Sequence, residues 1–347
     1  MLATWFAAVA ALVFAIVLVG GATRLTDSGL SITEWAPVSG VVPPLDAAGW
    51  ALAFDKYKTT TEYQTVNSAM TLEQFKVIYW WEWGHRMLGR AIGLAVLIPL
   101  AVLWAIGRLP APWRGRALIV FAAVCLQGVI GWWMVKSGLV NRVDVSQLRL
   151  AVHLTMASAI FAYLVWLVRS LLPFEAARVP SLAPQAAGLT VLVLAQIFLG
   201  GLVAGLDAGM AYNTWPKMDG AWLPGGLLVA DPVWTNFIDN AKTVQFVHRI
   251  GAYVLLAAAI AHAVHLWRTA PSGAHVKRAF LLAAVVVMQA SIGVITLVMQ
   301  VPFFWALLHQ GWAMVILAVA VVHWRALSAP VVGAHSHRAT ELAHAAA

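Results

Sequence analysis

The chain has 347 residues and a formal net charge of +8, and 62% of its residues are hydrophobic while only 10% are charged. Soluble domains carry about a quarter charged residues, so this composition excludes a soluble protein and predicts one embedded in the lipid bilayer. A single cysteine, Cys125, excludes an intrachain disulfide and any metal site built from several cysteines.

Eight apolar stretches approach the roughly 20 residues that a membrane-spanning helix needs. They cover residues 3–23, 85–106, 117–135, 150–171, 187–206, 244–267, 279–299 and 304–324. Because backbone groups cannot stay unpaired in lipid, each stretch should be a helix, and Pro99 predicts a kink in the second. The sequence therefore predicts an all-α integral membrane protein with eight transmembrane helices.

Basic residues are concentrated on one side of this topology. If both termini lie on the same side, the segments there hold ten Lys or Arg residues and two acidic residues, whereas the opposite side holds twelve of each. Basic residues in short loops mark the cytoplasmic side. We therefore expect both termini in the cytoplasm, no cleavable signal or transit peptide, and no nucleic-acid partner, since the charge reports on orientation.

Two long segments, residues 24–83 and 207–243, lie on the outer side of the predicted membrane. The first is polar in its middle and predicts short interfacial helices, whereas the second is rich in Gly, Pro and Trp. Loops of this length usually cap a site when they are ordered. We therefore expect the functional site near this outer side.

The chain contains an internal repeat. The matching segments are 19–30 with 199–210 and 126–131 with 288–293. Four helices thus occur twice in the same orientation, which predicts two four-helix bundles related by a pseudo-two-fold axis along the membrane normal. The predicted divisions are an N-terminal bundle over residues 1–172, a C-terminal bundle over 187–325 and a cytoplasmic tail over 326–347.

Four histidines lie near the outer mouths of the even-numbered predicted helices. They are His85 and His153 in the first half, and their repeat counterparts His248 and His309 in the second. Opposed imidazoles at one depth suit the two axial positions of a haem iron, and bundle cores are where such proteins hold cofactors. A single intramembrane histidine is more often a hydrogen-bonded packing residue, but four at repeat-equivalent positions favour haem ligation in each bundle.

Six of the seven remaining histidines receive a different interpretation. His262, His265 and His323 lie at inner helix ends and have no repeat partner, so we expect them to be interfacial. Three more belong to the tail over 326–347, which we expect to be a solvated end.

One position breaks the repeat near the histidines. Glu82 stands three residues before His85, whereas Gln245 stands three residues before His248. Residues three or four apart share a helix face, so Glu82 lies beside His85 and can pair with Arg86. Of these two side chains, only the carboxyl group of Glu82 can exchange a proton. The first bundle is therefore predicted to do proton-coupled chemistry, and the second to hold a haem for structure or electron transfer. The alternative for this segment is a snorkelling interfacial anchor.

Two arginines, Arg86 and Arg249, each follow a candidate ligand by one residue. A guanidinium at this position could pair with haem propionates. Arg86 could instead pair with Glu82, and the sequence does not separate these two roles.

Several motifs together resemble the haem A synthase family, whose members convert haem O to haem A. They are GGATRLTDSGLSITEW at 20–35, EWGHR at 82–86, NTWPKM at 213–218, FVHR at 246–249 and LHQ at 308–310. The resemblance extends from about residue 5 to residue 324. The absence of a cysteine pair from the outer loops is similar to the cysteine-free branch of proteobacteria and mitochondria. Because no transit peptide is expected, this resemblance implies a bacterial inner membrane as the location.

The resemblance also implies a reaction. The C8 methyl of haem O would become a formyl group in two successive oxidations, through an alcohol and a hydrated aldehyde, to supply haem A for cytochrome oxidase. Substrate haem O would lie between His85 and His153, and a haem b cofactor between His248 and His309. Glu82 would be the catalytic acid–base residue. The oxygen atom would come from dioxygen if a histidine leaves the iron, or from water if it stays.

Two other functions compete with this interpretation. A bis-histidine membrane cytochrome b that only carries electrons would use the same four histidines without needing Glu82. A transporter would also have parallel repeats, but the polar groups here gather at the outer mouths and not at the bilayer centre. The electron donor is unidentified, and the sequence leaves open a homo-oligomer and a direct transfer of substrate from a haem O synthase.

Overall fold

The computed structural model describes residues 1–174, 178–269 and 273–328. Across these residues the chain is almost entirely helical, and its only β-type pairing is an isolated bridge between Met218 and Ala221. The tail predicted over 326–347 lies outside the described residues from 329 onward.

Eleven α-helices are present in the described part of the chain. They are α1 (Leu2–Leu25), α2 (Ala47–Lys58), α3 (Thr61–Thr65), α4 (Leu72–Ala105), α5 (Ala111–Gly138), α6 (Gln147–Leu171), α7 (Ala183–Gly205), α8 (Asn236–Asp239), α9 (Ala241–Thr269), α10 (Gly273–Val298) and α11 (Phe303–Leu327). All except α2, α3 and α8 are long and apolar enough to cross a membrane. The predicted all-α multi-pass membrane fold is therefore confirmed.

Helix α4 begins at Leu72, well before the predicted start at residue 85. The Thr71 hydroxyl accepts a hydrogen bond from the Gln74 backbone N at 3.3 Å, and Gln74 Oε1 accepts one from the Thr71 backbone N at 2.8 Å. This reciprocal capping box fixes the helix start, and its Thr-x-x-Gln pattern is visible in the sequence. Hydropathy alone misses it because the first turns mix charged and aromatic residues. As a result Glu82 lies inside a helix and not at its mouth.

The transmembrane helices pack as two rings of four. Helices α1, α4, α5 and α6 contact one another in a closed ring, and α7, α9, α10 and α11 form a second ring in the same order. Between the rings, α6 packs against α7 and α11, and α1 packs against α11. Exchanging the first four helices with the second four reproduces this set of contacts. The packing is compatible with the pseudo-two-fold pair of bundles, while the division at 1–172 and 187–325 stays a prediction.

The short helices predicted in the first long loop are present as α2 and α3, and they pack on the first turns of α4. The ring of Phe75 on α4 stacks on Phe54 and Tyr57 of α2, with centroids 5.0 and 5.3 Å apart. Ile78 and Tyr79 complete this buried cluster. We call α2, α3 and this cluster the cap. The side of the molecule that carries the two long loops is called the loop end, and the cap covers the first bundle there.

The prediction that His262 and His323 are interfacial is wrong. Both are buried, and their Nε2 atoms lie 2.9 Å apart, within hydrogen-bonding distance. His262 Nδ1 also lies 3.1 Å from Gln185 Oε1. Mutual hydrogen bonding lowers the cost of burying two imidazoles, which a search for repeats does not reveal. His265 is exposed, as expected.

Candidate functional site

Each of the four candidate ligands faces a glycine on a neighbouring helix. A Cβ atom would lie 2.8 Å from the ring of His85 if added at Gly20, 2.9 Å from His153 at Gly131, 3.3 Å from His248 at Gly200 and 2.8 Å from His309 at Gly293. These distances leave no space for a methyl group unless the ring moves. The glycines are repeat-equivalent in pairs, so the repeat read from the sequence also governs how the histidines pack.

The histidines are brought together in the predicted pairs. His85 on α4 and His153 on α6 lie on opposite helices of the first ring and interact electrostatically. His248 on α9 and His309 on α11 do the same in the second ring. Opposed imidazoles in a bundle core are the arrangement that a bis-histidine haem requires.

Glutamine side chains hold three of these histidines. Gln127 Nε2 donates to the His153 carbonyl at 3.0 Å, Gln196 Nε2 to that of His248 at 2.8 Å, and Gln289 Nε2 to that of His309 at 2.9 Å. Among the described residues, Nδ1 of His85 and of His309 is buried without a hydrogen-bond partner. Paired imidazoles, flanking glycines and ring nitrogens that no protein group satisfies together fit a haem group in each ring.

Glu82 is 3% exposed, and its carboxyl oxygens act only as hydrogen-bond acceptors. Its Oε1 accepts from Arg86 Nε at 3.0 Å and Nη2 at 2.5 Å, and its Oε2 accepts from Ser31 Oγ at 2.7 Å and the Ile32 backbone N at 2.6 Å. Arg86 also donates to the carbonyls of Ile32 at 2.6 Å and Glu34 at 2.9 Å. Four donors around one side chain are the pattern of a carboxylate. The segment after α1 therefore closes over Glu82 and holds Oε2, while Arg86 of α4 holds Oε1.

The second ring builds a similar arrangement around an amide. Arg249 donates to Gln245 Oε1 at 2.9 Å and to the carbonyls of Tyr212 and Thr214, both at 2.8 Å. Gln245 Nε2 donates to the Ala208 carbonyl at 2.6 Å. An amide both donates and accepts hydrogen bonds. Gln245 therefore meets one carbonyl acceptor, that of Ala208, whereas the Glu82 carboxylate meets only donors. The Glu-to-Gln difference thus extends into the surrounding backbone.

The two arginines make their contacts mainly with the protein itself. Of the two roles considered for Arg86, pairing with Glu82 is present in the structure. Arg249 keeps its Nε atom buried without a partner among the described residues. Pairing of either guanidinium with a haem propionate stays a prediction.

Sequence reasoning missed the groups that hold the predicted residues. Ser31 and Ile32 lie inside the motif at 20–35, but the internal repeat was read only to residue 30. Gly131 and Gly293 lie in matched repeat segments, so a signal existed for them. Gln196 is not part of a matched pair, and no pattern indicated it.

Comparison with known proteins gives a consistent result. Residues 3–321 match the COX15-CtaA family model, described as cytochrome oxidase assembly protein. Curated relatives named "Heme A synthase" are 53% identical in Sinorhizobium medicae (strain WSM419) and 52% in Rhizobium meliloti (strain 1021), each over 92% of this chain and 88% of the relative. One from Chelativorans sp. (strain BNC1) is 53% identical over 93% of this chain and 90% of its own. These matches span both rings of helices. The chain therefore belongs to the COX15-CtaA family of cytochrome oxidase assembly proteins.

Proposed function

We propose that this protein is a haem A synthase, an oxidoreductase that acts on a CH group and converts the C8 methyl of haem O to a formyl group in two steps. The observation that carries the proposal is the buried carboxylate of Glu82 beside one histidine pair, with an amide at the equivalent place beside the other. The relatives named "Heme A synthase", about half identical over both rings, support the same reaction.

The substrate haem O is assigned to the first ring, between His85 and His153, because the carboxylate lies there. A resident haem b is assigned to the second ring, between His248 and His309. When bound, this haem supplies a one-electron redox centre. The glycine beside each imidazole sets the ring position, and the glutamines orient three of the four.

Glu82 has the position of the proton acceptor. Converting a methyl to a formyl group with water as the oxygen source removes four electrons, which pass to a redox partner, and releases four protons. Water is the proposed source because two histidine ligands would leave a haem iron without a free position for dioxygen. A carboxylate near the reacting carbon can take these protons one at a time.

The hydrogen bonds of Glu82 allow it to change protonation state without losing its position. Arg86 and the Ile32 N–H hold the carboxylate from two sides. Ser31 Oγ lies 2.7 Å from Glu82 Oε2 and also within 2.9 Å of the Ser28 carbonyl. When a proton arrives on Oε2, the serine hydroxyl can turn its own hydrogen to that carbonyl and accept the new one.

The location follows from the same assignment. Eight apolar helices and bacterial relatives support a bacterial inner-membrane protein with both termini in the cytoplasm. The loop end, with Glu82 and the four histidines, would then face the periplasmic side.

The test is expression together with a haem O synthase, followed by extraction of the pigments and analysis for a formyl-bearing haem. We expect haem A from the unchanged protein and none from Glu82→Gln, with both proteins retaining low-spin bis-histidine spectra. Glu73→Gln is the matched control, because Glu73 also lies on α4 and its side chain is 78% exposed. A bis-histidine spectrum without haem A in the unchanged protein would indicate a cytochrome b electron carrier instead.

A further inference from the structure

The first half contains a second buried carboxyl group, that of Glu62 on α3. The residue is 6% exposed, and its Oε2 atom is buried without a hydrogen-bond partner among the described residues. The side chain interacts electrostatically with the fully buried phenol of Tyr57 in the cap. An acid group left partly unsatisfied in apolar surroundings is costly and calls for a functional explanation.

Within residues 1–174, 178–269 and 273–328, buried acid groups occur only in the half that holds Glu82. The acidic residues in the corresponding loop of the second half are exposed. They are Asp207, Asp219, Asp231 and Asp239. The distribution of buried carboxyl groups therefore follows the Glu-to-Gln difference between the rings.

The charged groups that act on Glu62 include the candidate acid–base residue. It interacts electrostatically with Glu82 on α4, with Asp27 after α1 and with Asp144 before α6. Burial raises the pKa of Glu62 to about 8, the Tyr57 hydroxyl opposes this, and the three neighbouring carboxylates add to it. Burial also raises the pKa of Tyr57, so the phenol keeps its proton. Glu62 therefore exchanges a proton near neutral pH.

A surface pocket of about 470 Å³ adjoins the hydrogen-bond networks around Tyr57 and Ser31. Asn67 lines it and donates through Nδ2 to the Tyr57 hydroxyl at 2.8 Å. Ile78 also lines it, and its carbonyl lies 3.2 Å from Ser31 Oγ, the hydroxyl that bonds Glu82. The pocket therefore adjoins both hydrogen-bond networks through Asn67 and Ile78, each one hydrogen bond from the buried residues Tyr57 and Ser31.

We propose that Glu62 is a proton-relay residue, which receives the protons that Glu82 collects and releases them to water in the pocket at the loop end. In the relay step an O–H bond of Glu82 breaks and one forms at Glu62, along hydrogen-bonded water, and no electrons move. Glu62 then loses the proton to solvent and returns to its carboxylate form. Tyr57 is a positioning residue that acts through its electrostatic interaction with Glu62. The inference rests on the proposed role of Glu82.

The experiment uses the full-length protein with haem bound and has two readouts. The first is the rate of haem A formation between pH 6 and pH 9. Glu62→Gln should lower this rate by about tenfold or more and remove the rising limb near pH 8, because the neutral amide cannot accept a proton. The haem spectrum should not change, and Glu73→Gln should behave as the unchanged protein.

The second readout does not depend on activity. Infrared difference spectra across the same pH range should show a carboxyl band that titrates near pH 8, present in Glu82→Gln and Glu73→Gln but absent in Glu62→Gln. Tyr57→Phe should shift this band to higher pH, because the Tyr57 hydroxyl lowers the pKa of Glu62 and the variant lacks it. A purely structural role for Glu62 would not produce a carboxyl band that titrates. Glu62→Asp, which is expected to retain a titrating band, covers the case in which Glu62→Gln does not fold.

The outcomes separate the relay from the function on which it rests. Full activity of Glu82→Gln would overturn the acid–base role of Glu82, and the relay with it. An inactive Glu82→Gln together with an unchanged rate and pH profile in Glu62→Gln would overturn the relay alone. Absence of a carboxyl band titrating near pH 8 in the unchanged protein would also overturn it.

Discussion

The glycines beside the histidines give the most direct test of the haem assignment. A Cβ added at Gly293 would lie 2.8 Å from the His309 ring, where an ordinary contact needs at least about 3.4 Å. Overpacking of this kind costs about 1–3 kcal/mol, and the helix gains about 1 kcal/mol from alanine. The gain is the same with and without haem, so only the overpacking enters the affinity, and Gly293→Ala should lose about 1–3 kcal/mol of haem affinity, or roughly five- to 150-fold.

The assay is the haem content of purified protein by pyridine haemochrome, together with its low-spin Soret spectrum. Gly293→Ala should lose haem b from the second ring, whereas Gly131→Ala, 2.9 Å from His153, should keep haem b and lose substrate binding. Gly128→Ala is the matched control, because it makes the same change on α5 with nothing within 4 Å of the new carbon. Full haem content and an unchanged spectrum in Gly293→Ala, or an equal loss in the control, would refute the placement of haem between these histidines.

Three further predictions follow from the contacts. Ser31→Ala removes a 2.7 Å hydrogen bond to Glu82 Oε2. Because a hydrogen bond to a charged group contributes about 1.5–3 kcal/mol, the variant should form haem A about tenfold more slowly at constant haem content. An unchanged rate of haem A formation would contradict this prediction. Burial raises the pKa of Glu62 to about 8, above its ordinary 4.5, so the folded state holds the extra proton between these values. The contribution of this proton to the free energy of unfolding is complete below about pH 4.5 and is lost as the pH rises through 8, by at most about 1.4 kcal/mol per pH unit. In Glu62→Gln, the midpoint of thermal unfolding should lack this dependence on pH. His323→Ala leaves His262 without its 2.9 Å partner and should cost about 1–3 kcal/mol in thermal stability without altering the haem spectra, whereas His265→Ala, an exposed control, should change neither.

The sequence allowed the membrane helices and the histidine pairing to be predicted because both depend on local periodicity. Hydropathy indicates where a helix crosses the membrane, and the repeat aligns His85 with His248 and His153 with His309. The start of α4 was misplaced because hydropathy does not register a capping box at Thr71. That signal was nevertheless local and readable.

The remaining features depend on contacts between distant parts of the chain. The hydrogen bond between His262 and His323 joins helices whose sequence separation carries no periodic signal. The backbone groups that surround Glu82 come from the segment after α1, and which peptide group faces a side chain is decided by the fold of that segment. Burial of Glu62 follows from the packing of α3, a single short turn that its sequence does not mark as buried.

The orientation of one peptide group limits how the two halves could exchange roles. The Ala208 carbonyl points at the amide nitrogen of Gln245. A carboxylate installed there would meet another oxygen acceptor, and the two negative ends would repel. A carboxylate at position 245 would therefore require the peptide group of Ala208 to rotate. A single Gln245→Glu substitution does not provide this rotation, so it should not give the second ring the role of the first.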